Sequence, residues 1–263
     1  MIIDGHTHIH PEKEAFGPAY DATPEFLLEA LEESGVDKAV VLPIAATTPY
    51  AKRTDNCYVA EWCAKYPQRL VGFASIHPLE DADSTGRLAR AVEKYGLKGL
   101  KLHPRFQGVA ADDPRLIPLV EKAAALGIPV AIDCLLWKPT PLRDQLPFNV
   151  DTLCKRVPEA KVIMCHAGGF RFLDALAVAV ANDNVYLDVS VSLGYFHDTP
   201  FEDQFMFVLK QVGARRLIYG SDHPYCPLKA TYLLSKAVFE KHGFSHEDQD
   251  WIFGKTMLSL LGQ

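Results

Sequence analysis

The chain has no run approaching the ~18 consecutive apolar residues that a membrane-crossing helix needs, so an integral membrane protein is not expected. It has no C-x-x-C pair either. Its six cysteines (Cys57, Cys63, Cys134, Cys154, Cys165, Cys226) are scattered, and several sit in apolar runs where a reduced thiol packs as a small hydrophobe. No disulfide framework is read from them. A basic stripe is also missing. The formal net charge is −6, which disfavours a nucleic-acid backbone as partner and favours a small-molecule substrate. The opening residues, MIIDGHTHIH, lack both a basic leader and a long apolar stretch. They carry ligand-type side chains instead, so no cleaved signal is expected and a cytoplasmic location is the expectation.

What the chain does have is a regular alternation. With 48% hydrophobic residues it can bury a sizeable core, and 263 residues suit one domain of the size of a closed α/β barrel, ~250 residues. Eight short runs rich in Val, Ile and Leu, at 2–4, 38–42, 70–76, 99–102, 129–133, 161–165, 185–189 and 216–220, read as parallel strands buried on both faces. Between them lie segments of helical periodicity at 24–34, 56–66, 85–95, 114–126, 150–157, 170–181, 201–212 and 228–241. Thr23-Pro24-Glu25 reads as a cap, an N1 proline and an acidic first turn. Gly35, Gly96, Gly127 and Gly243 stand where a helix would stop in a left-handed residue. A last amphipathic helix over 245–261 has no strand after it and is expected to cap or flank the barrel. The fold expected is therefore α/β, a (β/α)8 TIM barrel with an additional C-terminal helix, spanning residues 1–263 as a single domain.

In such a barrel, reacting groups gather where strands end. The first strand runs into Asp4-Gly5-His6-Thr7-His8-Ile9-His10, and in extended backbone the three histidines share one face. Two imidazoles on one strand can grip a divalent metal while leaving positions for distant residues. Asp222 follows the eighth strand, which neighbours the first once a barrel closes. His166 follows the sixth strand, with Gly168 and Gly169 beyond it, and is expected to stay exposed. Asp133 ends the fifth strand, and Lys101, His103 and Arg105 surround the end of the fourth. A lone histidine after a strand is ordinarily a hydrogen-bonded core or loop residue. His10 and His77 are read that way, while His197, His242 and His246, in loops or at helix starts, are read as solvated surface residues. Histidine or aspartate at the ends of strands 1, 4, 5, 6 and 8 together is a joint pattern that points to a metal site.

Four motifs in order, Asp-Gly-His-Thr-His, Lys-Gly-Leu-Lys-Leu-His-Pro, His-Ala-Gly-Gly and Gly-Ser-Asp-His-Pro, give the chain its family likeness. It resembles the amidohydrolase-related group of metal-dependent TIM-barrel hydrolases and decarboxylases over nearly its whole length. The resemblance implies a divalent metal, zinc first and iron or manganese as alternatives. It implies His6 and His8 as ligands, His166 as ligand or catalytic base, and Asp222 as a ligand that also handles a proton. The fifth strand departs from the pattern: relatives commonly place a histidine ligand there, where this chain has Asp133. A carboxylate at Asp133 could still bind and make the site harder, or could equally point away and weaken it.

Two reactions follow as expectations. In hydrolysis of a small amide, ester or lactone, Asp222 exchanges the proton of a metal-activated water. In non-oxidative decarboxylation of an aromatic or unsaturated acid, His166 or Asp222 protonates the carbon. A barrel that binds a ligand without turnover is a third reading, and Asp133 is its best support. His103 and Arg105 are the candidate contacts for a substrate carboxylate. Trp137, Phe170, Tyr195, Phe196 and Tyr225 could line a planar pocket, and the loop over 135–149 is a candidate lid. Self-association as a homodimer is compatible with the sequence.

Overall fold

The computed structural model describes residues 1–263. Its strands are β1 (Ile3–Thr7), β2 (Lys38–Val41), β3 (Leu70–Gly72), β4 (Ala74–Ser75), β5 (Leu100–Leu102), β6 (Val130–Ile132), β7 (Val162–Met164), β8 (Val185–Asp188) and β9 (Leu217–Ile218). All neighbouring pairs are parallel, and each strand follows its neighbour in sequence order. The run expected as one strand over 70–76 is broken at Phe73. β3 pairs with β2 and β4 pairs with β5, so the sheet divides there into three and six strands. The break is small, because Phe73 N still donates to Val41 O at 2.9 Å and Ala74 N to Gly99 O at 2.7 Å. β3 and β4 together fill the third of eight strand positions.

The other seam closes the barrel. Gly5 N donates to Tyr219 O at 2.8 Å, Asp222 N to His6 O at 2.8 Å and His8 N to His223 O at 2.7 Å. β1 thus meets the segment after β9, and the ends that carry His6, His8 and Asp222 are locked side by side. Asp4 braces the same seam, its Oδ1 accepting from His6 N at 3.0 Å and Ser221 N at 2.9 Å.

Long helices pack around the strands, among them Pro24–Ser34, Ser84–Glu93, Phe172–Ala181 and Leu228–Lys241. Gly35, Gly96, Gly127 and Gly243 all have φ between 70° and 75°, as a helix-ending glycine should. Thr23 does not cap its helix: its hydroxyl and N–H both turn back to Asp21 Oδ1, at 2.6 and 3.0 Å. Two helices differ from their expected starts. One begins at Pro147, because proline suits the first turn, and the other runs Ile117–Ala125, several residues inside its expected start. The final helix spans His246–Asp250 and Thr256–Leu260 with one π turn, Trp251–Lys255, between them.

The apolar interior has two parts. A large cluster lies between strands and helices, while Ile3, Val40, Val71, Phe73, Ala131, Ile163 and Ile218 form a separate plug inside the barrel. Met257 and Leu260 of the last helix join this plug, so that helix caps the floor of the barrel. The apolar plug leaves the opposite, C-terminal mouth for polar residues.

Candidate metal centre and substrate cavity

Three side chains converge at the barrel mouth. Asp222 Oδ1 lies 3.1 Å from His8 Nε2 and 3.3 Å from His6 Nε2, with all three residues buried. Their ligand atoms lie within 4.8 Å of one another. The opposite ring nitrogens are already engaged. His6 Nδ1 lies 2.5 Å from Asp188 Oδ2, and His8 Nδ1 lies 2.6 Å from Leu42 O. An Nδ1–H donated to each oxygen leaves both Nε2 lone pairs aimed at one region, with a carboxylate oxygen completing the set. This donor chemistry fits a divalent ion.

Local backbone choices make the convergence possible. Gly220 has no side chain, and a Cβ there would stand 2.7 Å from His6 Cβ and 3.0 Å from Asp188 Oδ1, so only glycine leaves room for the pair. Asp222 itself has φ 66°, a left-handed turn that brings its carboxylate back over β1. His166 and Ala167 are also left-handed, with φ 60° and 46°, and the turn continues through Gly168 and Gly169. The glycines therefore serve a tight turn. Contrary to the expectation, this turn buries His166, leaving it 1% exposed.

His166 forms a second polar group with Asp133 and Arg105. Arg105 Nε donates to Asp133 Oδ2 at 2.5 Å, and His166 Nε2 stands 3.1 Å from Asp133 Oδ1. That second contact is not aligned as a hydrogen bond, so Asp133 Oδ1 has no donor of its own. Ser190 links the two groups, its Oγ lying 3.1 Å from His6 Nδ1 and 3.0 Å from His166 Nδ1. Of the residues singled out from sequence, His6, His8 and Asp222 share one focus, while Asp133 and His166 stand beside it with Arg105. His103 is buried, stacked on Phe106 at 5.4 Å, and its Nδ1 has no partner.

Burial and charge set the protonation states. Burial and the Lys101 ammonium bring His6 down to about 4, so its ring is neutral near pH 7. Burial pushes Asp222 up, but His6, His8 and His166 outweigh it and hold the carboxyl at about 2. Asp133 and Asp188 follow the same logic: each is buried, yet Arg105 and His166, or His6, keep it well below the usual carboxylate range. Burial lowers His166, but Asp133 and Asp222 raise it on balance. His103 goes the other way, held well below its ordinary value by burial and by Lys101.

Above this floor opens a cavity of 530 Å³ lined by Trp137, Phe170, Tyr195 and Tyr225, with Asp222 at its base and Arg105 in its wall. Phe196 is absent from that lining, because it packs in the core against Phe172 and Phe205. Arg105 is oriented by a short helix, Pro104–Gln107, in which Gln107 Oε1 accepts from His103 N and Gln107 Nε2 donates to Ile76 O, both at 2.7 Å. With Nε tied to Asp133, the forked end of the guanidinium has no protein hydrogen bond and borders the cavity. The loop bearing Trp137 is braced from within: Gln145 accepts from Trp137 N at 2.9 Å and donates to Trp137 O at 2.7 Å.

Sequence reasoning missed Asp188, which ends β8 and orients His6. Its signal was present, since an aspartate closing an otherwise apolar buried strand needs a partner. His197 and His242, read as solvated, instead hydrogen-bond Glu202 at 3.0 and 2.7 Å and tie Leu228–Lys241 to the start of Glu202–Val212. His10 and His77 are structural, their Nδ1 atoms accepting from nearby backbone N–H groups.

Residues 3–262 match the family model described as amidohydrolase, and the chain belongs to that family of enzymes. Its fold is shared with an uncharacterized TIM-barrel protein from Bordetella bronchiseptica, at TM-score 0.80 and 19% identity over 99% of this chain and 98% of that one. A probable 2-pyrone-4,6-dicarboxylic acid hydrolase from Acinetobacter baumannii, with citric acid bound, is similar at TM-score 0.72 and 20% identity, covering 100% and 99% of the two chains. A dihydroxybenzoic acid decarboxylase from a Polaromonas species, with bound manganese and the inhibitor 2-nitroresorcinol, aligns at TM-score 0.73 and 18% identity over 99% and 96%. A search of curated proteins returns no significant match. At these identities the structural likeness establishes the barrel, and the chemistry must be argued from the site.

Proposed function

We propose that this chain, folded as one domain, is a metal-assisted hydrolase of a small ester, lactone or amide that carries a carboxylate. The observation that carries the reading is Asp222: its Oδ1 faces two imidazole nitrogens at 3.1 and 3.3 Å, and it forms the base of the cavity whose wall holds Arg105. His6, His8 and Asp222 would hold the ion, zinc in the first instance with iron or manganese as alternatives. When bound, it would supply a Lewis acid and lower the pKa of water from ~15.7 toward ~7. The chain's own residues do the rest. Arg105 accepts a substrate carboxylate on its free fork, a two-pronged contact that also fixes orientation. The aromatic walls exclude bulk water and strengthen each polar contact inside. Asp222 is ionised, so it can take a proton from the attacking water and return it to the leaving group. His166 is buried beside Asp133, and that carboxylate together with Asp222 favours its protonated form, which would balance negative charge near the reacting centre.

A second reading is favoured by the cavity walls. Trp137, Phe170, Tyr195 and Tyr225 suit a planar acid, and the same Asp222 or His166 could protonate carbon as carbon dioxide leaves. Incubation of the protein with a panel of lactones, aryl esters, amides and hydroxybenzoates, read by oxygen-18 uptake from labelled water into the organic product and by carbon dioxide release, separates the two. Oxygen-18 in the organic product supports hydrolysis, and carbon dioxide release with no oxygen-18 in the organic product supports the second reading. Turnover of neither class, with tight binding of carboxylated ligands, would sink both in favour of a binding barrel.

A further inference from the structure

Beside the cavity over Asp222, the loop after β6 borders a second hollow. It measures 680 Å³, and Leu136, Leu142, Leu146, Trp137 and Phe170 line it. Trp137 and Phe170 also stand in the wall of the 530 Å³ cavity, so the two spaces adjoin across these rings. Leu142, Trp137 and Phe170 are 54%, 49% and 47% exposed, an apolar surface that folding leaves uncovered. The groove is preformed. Leu142 opens a single helical turn that ends at Gln145, and the buried Gln145 side chain grips Trp137 N and O and donates to Thr140 O at 3.1 Å. Phe170 packs edge-on against Tyr195, with ring centroids 5.1 Å apart. Two cations border the groove, and both are turned to other partners. Arg171 Nε donates to Asp174 Oδ2 at 2.5 Å, and Lys138 Nζ stands 4.9 Å from the centre of the Tyr50 ring. What remains suits uncharged, apolar matter, whereas a carboxylate is drawn to the free fork of Arg105 in the neighbouring cavity.

We propose that this groove is a subsite for an apolar arm of the substrate. The molecules taken are then amphipathic: a carboxylate on Arg105, the reacting bond over Asp222, and an alkyl or aryl arm that leaves the cavity past Trp137 and Phe170. This rests on the reading that the cavity over Asp222 binds a carboxylated substrate. Each space falls within the ~300–1,000 Å³ of a ligand pocket, and the shared walls let one molecule occupy both. A fully buried methylene is worth about 4-fold in affinity, and one lying in a groove open on one side about 2-fold. Leu142 lines the groove and not the cavity, so its substitution reads the arm alone.

The test uses the zinc-loaded native protein, Leu142→Asp and Leu142→Met. Hydrolysis is followed for the methyl, butyl, hexyl and octyl half-esters of succinic acid. Binding is measured by calorimetry for the matching alkylsuccinic acids, which have no bond to hydrolyse, and molecular mass in solution by light scattering. In the native protein, kcat/KM and affinity should rise by about 2-fold per methylene through the longer arms. Leu142→Asp should flatten both series and Leu142→Met should retain them. Each series is a ratio within one protein, which cancels any loss of folded enzyme. A flat binding series in the native protein, or a rise that Leu142→Asp leaves unchanged, overturns the proposal while binding of the short acids keeps the carboxylate reading. A flat series in a native dimer that Leu142→Asp splits into monomers also overturns it, and gives the groove to a second copy of the chain. Absence of half-ester turnover counts against the hydrolase reading alone, because a rising alkylsuccinate series that Leu142→Asp abolishes still supports the subsite. Failure of every alkylsuccinate to bind, short and long, overturns both.

Discussion

Asp188→Asn probes the metal centre without touching the proposed ligands. Asp188 Oδ2 lies 2.5 Å from His6 Nδ1, and both side chains are almost completely inaccessible, so the contact is neither screened by salt nor replaceable by water. Asparagine keeps the size and one acceptor oxygen, and its loss is the negative charge. That charge holds the His6 ring in the tautomer with Nε2 free and raises its basicity. Removing a carboxylate behind a ligating histidine lowers metal affinity by about 10- to 100-fold, or about 1.4–2.7 kcal/mol. A competition titration of the metal-free protein against a coloured chelator measures this directly. The expected result is an intermediate affinity for Asp188→Asn, with His6→Ala far weaker and Asp188→Ala below Asp188→Asn. The reasoning is refuted if Asp188→Asn binds the ion as tightly as the native protein while His6→Ala does not. His6 would then be a ligand whose orientation owes nothing to Asp188.

Three further outcomes follow from the same geometry. Asp133→Ala leaves the Arg105 guanidinium and His166 without their buried counter-charge, and urea unfolding should show a loss of about 3–5 kcal/mol. Arg105→Gln should raise KM for a carboxylated substrate by about 10- to 100-fold with little change in kcat, as expected for loss of one charge-assisted contact made equally in ground and transition states. Asp4 gives a pH signature. Burial raises its carboxyl to about 7, so between an unfolded value near 3.8 and that point the folded state binds more protons than the unfolded one, and stability falls as pH rises. Asp4→Asn keeps acceptors for Ser221 N and His6 N, so its stability relative to the native protein should improve by a few kcal/mol between pH 4 and pH 8. An unchanged difference across that range would refute the burial argument.

Much of the architecture was legible in the chain because its causes are local. A fully buried parallel strand reads as a short β-branched run, and a helix end reads as a glycine that adopts positive φ at no cost. All eight strand positions, the helix-ending glycines and the final capping helix therefore followed from pattern alone. The break at Phe73 did not. The expected strand over 70–76 is continuous in sequence character, and only pairing with β2 on one side and β5 on the other divides it.

The candidate site divides along the same line. Histidine and aspartate at strand ends marked the mouth of the barrel, because a barrel gathers those ends whatever the loops do. Their grouping was decided by closure. Tertiary structure set Asp222 against His6 and His8, drew Asp133 to Arg105, turned His166 inward through a left-handed segment, and brought Asp188 to a histidine 182 residues earlier. A sequence specifies which groups stand at the rim through periodicity that a few neighbouring residues can express. Which of those groups touch depends on strand register and on a few ångströms of side-chain reach across the barrel, and that is settled only when all eight positions pack at once.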